Sequence, residues 1–210
     1  MEKTQTATGR GLLVVLEGID GVGKSSALRA VRAASEGSGR ELVSSREPTD
    51  GPWGRRLRES ATLGRLSPEE ELELFVRDRR QHVEELLQPA LERGALLLLD
   101  RYYFSTAAYQ GARGADPEAV LSLNEAFAPV PDLVLLLDCD PLVSLERVRM
   151  RGGAADEFEK LEELQAVRRI FLSLRRPFIR LIDASRPPEV VGAECGAAVS
   201  ALLARHHLGA

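Results

Sequence analysis

Five short, largely apolar runs punctuate the chain: LLVVLE at 12–17, ELVSS at 41–45, ALLLLD at 95–100, DLVLLLD at 132–138 and FIRLID at 178–183. A strand with water on one face alternates polar and apolar positions. A run that is apolar throughout predicts a strand covered on both faces, hence a parallel sheet with helices above and below. The intervening stretches Ser25 to Ala34, Ser67 to Arg93, Pro117 to Phe127, Pro141 to Arg151 and Glu157 to Leu174 are helical in pattern. Together they predict an α/β domain, a doubly wound five-stranded parallel sheet flanked by helices. EGSGR at 36–40 and RGGAAD at 151–156 read as loops, the second interrupting an Arg-rich helix and suited to hinge a short lid over about 147–160. The predicted organisation is a disordered leader over 1–10 and one domain over 11–210, without internal repeats.

Composition narrows the partners. Of 210 residues, 44% are hydrophobic, enough for a core, and 28 basic against 32 acidic residues leave a formal net charge of -4. That balance argues against the broad positive field of a nucleic-acid binder, so any bound polyanion must be met by local charge. Cys139 and Cys195 lie too far apart in sequence for a zinc knuckle or redox pair, which suits a reducing cytoplasm. The polar start MEKTQTATGRG lacks the apolar stretch of a signal peptide, and no apolar run approaches a membrane span. No nucleic-acid or membrane partner is expected.

In doubly wound sheets ligands gather beyond the carboxyl ends of the strands, which directs attention to the residues after Glu17, Ser45, Leu99 and Leu137. The first of these segments, Gly18-Ile19-Asp20-Gly21-Val22-Gly23-Lys24-Ser25, matches Gly-x-x-x-x-Gly-Lys-Ser between a predicted strand and a predicted helix. Glycines let the backbone wrap a phosphate so that N–H groups and the helix N-terminus face the anion. ATP binding is assigned to these residues and Ser26, with Lys24 on the β/γ-phosphates and the Ser25 hydroxyl on magnesium. The bland alternative, a glycine-rich turn with an incidental lysine, does not account for the complete match in its required context. Asp100 ends an apolar strand where a second magnesium-side carboxylate belongs, unless it is a helix N-cap. Arg101 follows in the same crevice. An Asn-Lys-x-Asp stretch for guanine is missing; the only asparagine, Asn124, precedes Glu-Ala-Phe.

Beyond the P-loop, the blocks EGIDGVGKSS at 17–26, SREP at 45–48, LFVRDRRQH at 74–82, DRYYFSTAAYQG at 100–111, PDLVLLLDCDP at 131–141 and an Arg-rich lid ending DEFE at 156–159 follow one another in order. In these blocks the sequence resembles the thymidylate kinase family, from about Leu12 to about Asp183. The resemblance implies ATP-dependent phosphorylation of thymidine monophosphate (dTMP) to the diphosphate, with magnesium, in a homodimer. It implies that Arg46 and Arg101 hold the acceptor's phosphate, a role suited to planar guanidinium forks. Phe75 would stack on thymine, with Arg79, one helical turn later, on a thymine carbonyl. Ser105 and Thr106 would approach the base edge, Tyr109 the deoxyribose, and Asp20 the sugar hydroxyl or the metal network.

Some family members carry an arginine inside the P-loop where this sequence has Gly21, and others supply that charge from the lid. Arg147, Arg149 and Arg151 make the lid type the closer match, with Arg147 on ATP and Arg149 and Arg151 joining Lys24, Asp20 and Arg101 as catalytic residues. Two departures stand out: Thr49-Asp50-Gly51 follows SREP where the family often has Gly-Gly-Thr, and Glu157 replaces an arginine common in the lid. His82 is expected to cap or pack a helix, and ARHHLGA at 204–210 to form a tail. Competing readings are another P-loop kinase of pyrimidine nucleotides or deoxynucleosides, and a non-catalytic ATP-binding switch.

Overall fold

A computed structural model describes residues 10–64, 66–150 and 157–207. Strands β1 (Leu12–Glu17), β2 (Leu42–Arg46), β3 (Leu96–Asp100), β4 (Leu133–Asp138) and β5 (Ile179–Asp183) form a sheet of order β2-β3-β1-β4-β5. Every pairing is parallel. An apolar run takes the centre: Leu12 to Leu16 have no exposed surface, and Leu96 to Leu99 beside them are equally buried. The edge strands β2 and β5, whose sequences mix in Ser44, Ser45 and Arg180, are partly exposed.

The helices are α1 (Lys24–Ser35), α2 (Pro52–Leu63), α3 (Pro68–His82), α4 (Gln88–Glu92), α5 (Tyr103–Ala112), α6 (Pro117–Glu125), α7 (Pro141–Arg149), α8 (Glu157–Ser173) and α9 (Pro188–His207). Several starts are written locally. Ser67 and Glu70 form a capping box at α3, and Asp116 and Asp140 cap α6 and α7, each just ahead of a proline. The predicted helix over 67–93 is continuous but widens into a π-turn at Val83–Leu87. Pro89 lacks an N–H and its ring crowds the carbonyl four residues back; just ahead of it the ladder shifts so that Gln88 N–H bonds Val83 O.

Two helices were not anticipated. In α2, Gly54 weakens the helical pattern, yet a Cβ there would lie 2.0 Å from Thr49 O, so the glycine is dictated by the loop packed against it. α5 has no side-chain cap of its own. The chain end also differs from expectation: α9 runs through His207, so Ala204 to His207 are helical rather than tail. α9 packs along α1, where Gly192 and Gly196 face Ala30 and Ala34 so closely that an added Cβ would stand 2.8 and 3.0 Å from theirs. The expected leader falls outside the described residues except for Arg10, which pairs with Asp132.

Candidate active site

β1 delivers the chain into the P-loop and α1 carries it away. Gly21, at φ +83°, is fixed by α7: a Cβ there would lie 2.3 Å from Ser144 O and 2.8 Å from Val148 Cγ2. No side chain, and so no P-loop arginine, fits that position. Gly23 enters α1 in a left-handed conformation without a side-chain cap, leaving the first amides of the helix to meet an anion. The Lys24 ammonium donates to Gly18 O at 2.9 Å and Ile19 O at 3.0 Å. Burial, and then the nearby Arg101 cation, hold its pKa well below the ordinary lysine value. Such an amine gains when a polyphosphate replaces carbonyls as its partner. The side chains of Ile19 and Val22 are buried in the core, so these two P-loop residues can offer a phosphate only their backbone.

Three cavities run in series along the carboxyl ends of the strands. The middle one, about 520 Å³, is lined by Lys24, Ser25, Arg46, Arg58, Asp100 and Arg101 among others. On one side it shares Gly21, Gly23 and Ser26 with a cavity of about 400 Å³ that reaches Arg147, Met150, Ala184 and Arg186. On the other it shares Asp20, Glu47, Pro48 and Arg101 with a pocket of about 170 Å³ bounded by Phe75, Arg79, Ser105, Thr106 and Tyr109. All the predicted acceptor residues therefore line two adjoining spaces. A separate cavity between β5 and the end of α8 is chiefly aliphatic, with Arg175 and Arg176 at its wall.

Asp100 is not a helix cap; the residue at the N-cap position of α5 is Tyr102. Its buried Oδ1 has no hydrogen-bond partner among the described residues, and it shares the middle cavity with Ser25. A hydroxyl and an unpartnered carboxylate oxygen beside a phosphate cradle fit a hard divalent cation.

The acceptor side is a network of side chains. Arg79, 1% exposed, donates through Nε and Nη2 to Glu47 Oε2 (2.8 and 2.6 Å), through Nη1 to Asn124 Oδ1 (2.6 Å) and through Nη2 to Thr106 Oγ1 (3.1 Å). Four of its five N–H groups are thus committed to protein. One Nη1 hydrogen remains for a ligand, as many as a single carbonyl contact requires. Glu47 also meets His82 Nδ1 at 3.0 Å, while His82 Nε2 lies 2.8 Å from Ser45 Oγ, so His82 ties the end of α3 to β2 and the residue after it. Asp78 holds the following loop, accepting from Thr49 N (2.8 Å) and Thr49 Oγ1 (2.6 Å).

Nearer the middle cavity, Arg101 donates through Nη2 to Asp20 Oδ1 (2.7 Å) and through Nη1 to Ser105 Oγ (2.8 Å), and the Tyr109 hydroxyl donates to Asp20 Oδ2 (3.0 Å). Ser105 lines the pocket, but its hydroxyl is turned to Arg101 and Glu17 rather than to a base edge. Arg46 is exposed and paired with Asp50 (2.9 and 3.2 Å), which Arg58 also meets at 3.0 Å. Arg147 donates to Val22 O and Ala184 O, tying α7 to the P-loop. Arg149 is exposed and lines none of the three cavities. Arg151 and the RGGAAD hinge lie outside the described residues.

Sequence reasoning missed Glu17, Glu47, Arg58 and Asn124. A glutamate ending a wholly apolar strand, and a single asparagine within a helix, were the available signals; neither says where its partner lies.

A parallel sheet with a P-loop, a cation-lined cavity over its carboxyl edge and an adjoining aromatic pocket defines a P-loop kinase acting on a small nucleotide. The family model described as "Thymidylate kinase" matches residues 16–195. Proteins named thymidylate kinase are similar over most of the chain. The one from Xylella fastidiosa (strain M23) is 51% identical over 181 residues, covering 86% of this chain and 83% of its own. That from Akkermansia muciniphila is 51% identical over 195 residues (93% and 94%), and that from Xanthomonas campestris pv. campestris (strain B100) 48% over 194 (92% and 85%). The chain belongs to the thymidylate kinase family.

Proposed function

We propose that this enzyme transfers the γ-phosphoryl group of ATP to dTMP, yielding ADP and thymidine diphosphate for dTTP synthesis. The observation that carries this reading is the series of three spaces: a donor cavity beside Arg147, a central one lined by Lys24, Arg46 and Arg101, and an acceptor pocket walled by Phe75 and Arg79. Phosphoryl transfer asks mainly for in-line positioning and positive charge. A phosphate oxygen of the acceptor attacks the γ-phosphorus and the bond to the β-phosphate oxygen breaks. The P-loop amides and Lys24 hold the donor, Arg101 and Arg46 hold the acceptor phosphate, and Asp20 with Tyr109 faces the sugar. Arg149 and Arg151 contribute charge from the lid. Ser25 and Asp100 would hold magnesium, which supplies neutralisation of phosphate charge when bound.

Nothing in the comparisons favours the kinases of other nucleosides or a switch. Buried, unbridged Cys139 and Cys195 are in keeping with a cytoplasmic setting, and no helix among the described residues is long and apolar enough to cross a membrane. Homodimeric assembly belongs to the same proposal through the family likeness; light scattering tests it. The decisive assay measures ADP release across a panel of nucleoside monophosphates. The expected result is strong stimulation by dTMP; equal stimulation by other pyrimidine nucleotides, or none by any, overturns the proposal.

A further inference from the structure

Glu17 ends β1 one residue before the P-loop, and none of its surface is exposed. Its carboxylate turns across the sheet to the start of α5. Oε1 accepts from the backbone N–H of Tyr102 at 2.8 Å and of Ser105 at 3.1 Å, and Oε2 accepts from the Ser105 hydroxyl at 2.5 Å. Ser105 Oγ in turn accepts from Arg101, whose other nitrogen bonds Asp20. Glu17 is therefore the cap that α5 lacks in its own sequence, supplied from a strand more than eighty residues away.

Arg101 needs such support. Its φ of 70° lies in the left-handed region, where a residue with a Cβ is strained and persists only when its surroundings fix it. The end of β1 fixes both sides of this residue: Leu16 O accepts from Arg101 N–H at 3.0 Å, and Glu17 accepts from the next N–H, that of Tyr102. Burial pushes the Glu17 carboxyl up, to about 7, against the pull of the Ser105 hydroxyl, the Arg101 cation and Tyr102 N–H. All three groups bonded to it are donors, so the ionised form is the one this geometry satisfies.

We infer that Glu17 is a positioning residue for the acceptor phosphate: by gripping the strained Arg101 turn and the Ser105 hydroxyl, it aims the Arg101 guanidinium into the central cavity. This rests on the reading of Arg101 as the ligand of the acceptor's phosphate. It gives the last residue of the strand before the P-loop a part on the acceptor side of the reaction.

The test is steady-state kinetics with each substrate varied in turn, alongside urea denaturation. Glu17→Gln keeps the shape and one oxygen for the two amides but puts an N–H₂ donor where the Ser105 hydroxyl donates, so that the hydroxyl must accept twice and turn its proton away from residue 17. It is expected to lower kcat/KM for dTMP at least about tenfold, with KM for ATP changed by less than about twofold and the urea midpoint near wild type. Ser105→Ala should lower kcat/KM for dTMP likewise, Ser105→Thr should restore most of it, and the Glu17→Gln, Ser105→Ala double variant should lose little more than the worse single one. If Glu17→Gln does not fold, the Ser105 pair decides the matter. Arg101→Lys runs in parallel: unchanged kcat/KM for dTMP would overturn the reading of Arg101 itself and the inference with it. If Arg101→Lys lowers that constant while Glu17→Gln or Ser105→Ala does not, or affects both substrates alike as stability falls, Glu17 is only a structural glutamate.

Discussion

The two halves of the site are built in different ways. On the proposed donor side one contiguous segment, Gly18 to Ser26, offers main-chain groups and a single lysine. Conformation is the essential requirement there, seen in the positive φ of Gly18, Gly21 and Gly23. On the acceptor side the side chains come from many elements and form two clusters: Glu47, after β2, meets Arg79 and His82 of α3, and Arg79 meets Asn124 of α6 and Thr106 of α5; Arg101, after β3, meets Asp20 and Ser105, and Ser105 meets Glu17 at the end of β1. A backbone cradle loses function by single deletions. A buried network loses stability and function together, and non-additively.

The largest effect should expose that difference. Glu47→Ala leaves the fully buried Arg79 guanidinium without its anion and should destabilise the fold by about 3–5 kcal/mol, measured by urea unfolding. An unchanged midpoint would show that the network is not a unit. On the donor side, Lys24→Met should cut turnover about 10²–10³-fold while leaving the unfolding midpoint at or above wild type, because the ammonium is buried and its removal relieves a desolvated charge. Near-wild-type turnover would remove the P-loop from the chemistry.

Intermediate effects separate the lid and the base pocket. Arg151→Ala and Arg149→Ala should each lower kcat by up to about 10²-fold with smaller changes in KM for dTMP, as expected of charge felt mainly in the transition state; a change confined to ATP affinity would place them with the donor only. Arg79→Gln should narrow the preference for dTMP over dCMP by about 1–3 kcal/mol, since cytosine presents an amino group where thymine has a carbonyl. Its links to Glu47 add a second expectation, a lowered unfolding midpoint. Stability lost without any change in the ratio of specificity constants would make Arg79 a structural arginine. The smallest effect concerns Asp50, an exposed carboxylate that occupies Arg46 and Arg58 at the mouth of the central cavity. Asp50→Asn should lower KM for dTMP about twofold to fivefold, the range of exposed ion pairs, with kcat unchanged. A raised KM would mean that Asp50 orients the arginines instead of competing for them.

The same contrast explains what could be read from the sequence. β1, β3 and β4 were legible because burial on both faces leaves a run that is apolar nearly from end to end, the edge strands β2 and β5 only from shorter apolar stretches, and α3, α6 and α7 carry their own caps. The P-loop was legible because its function is contiguous. α5 was not, because its cap is Glu17, and α2 was obscured by Gly54, whose reason is a carbonyl from the preceding loop. Phe75, Arg79, Thr106 and Tyr109 were placed through the family likeness and do share a pocket. The partners that hold them, Glu47 and Asn124, come from elements whose meeting only the folded chain discloses. Ser105 was assigned to the base edge by position in its block, whereas its hydroxyl serves Glu17 and Arg101.

The packing of α9 on α1 also has a consequence for the timing of synthesis. The P-loop helix leaves the ribosome well before the helix that packs along it, which begins at Pro188, about 150 residues after α1 ends at Ser35. At translation rates of about 5–20 residues per second, α1 waits roughly ten to thirty seconds for that helix. Throughout that interval the nascent chain lacks the cover that α9 gives Ala30 and Ala34. Competence to bind ATP should therefore arise late, close to the moment at which Gly192 and Gly196 seat against Ala30 and Ala34.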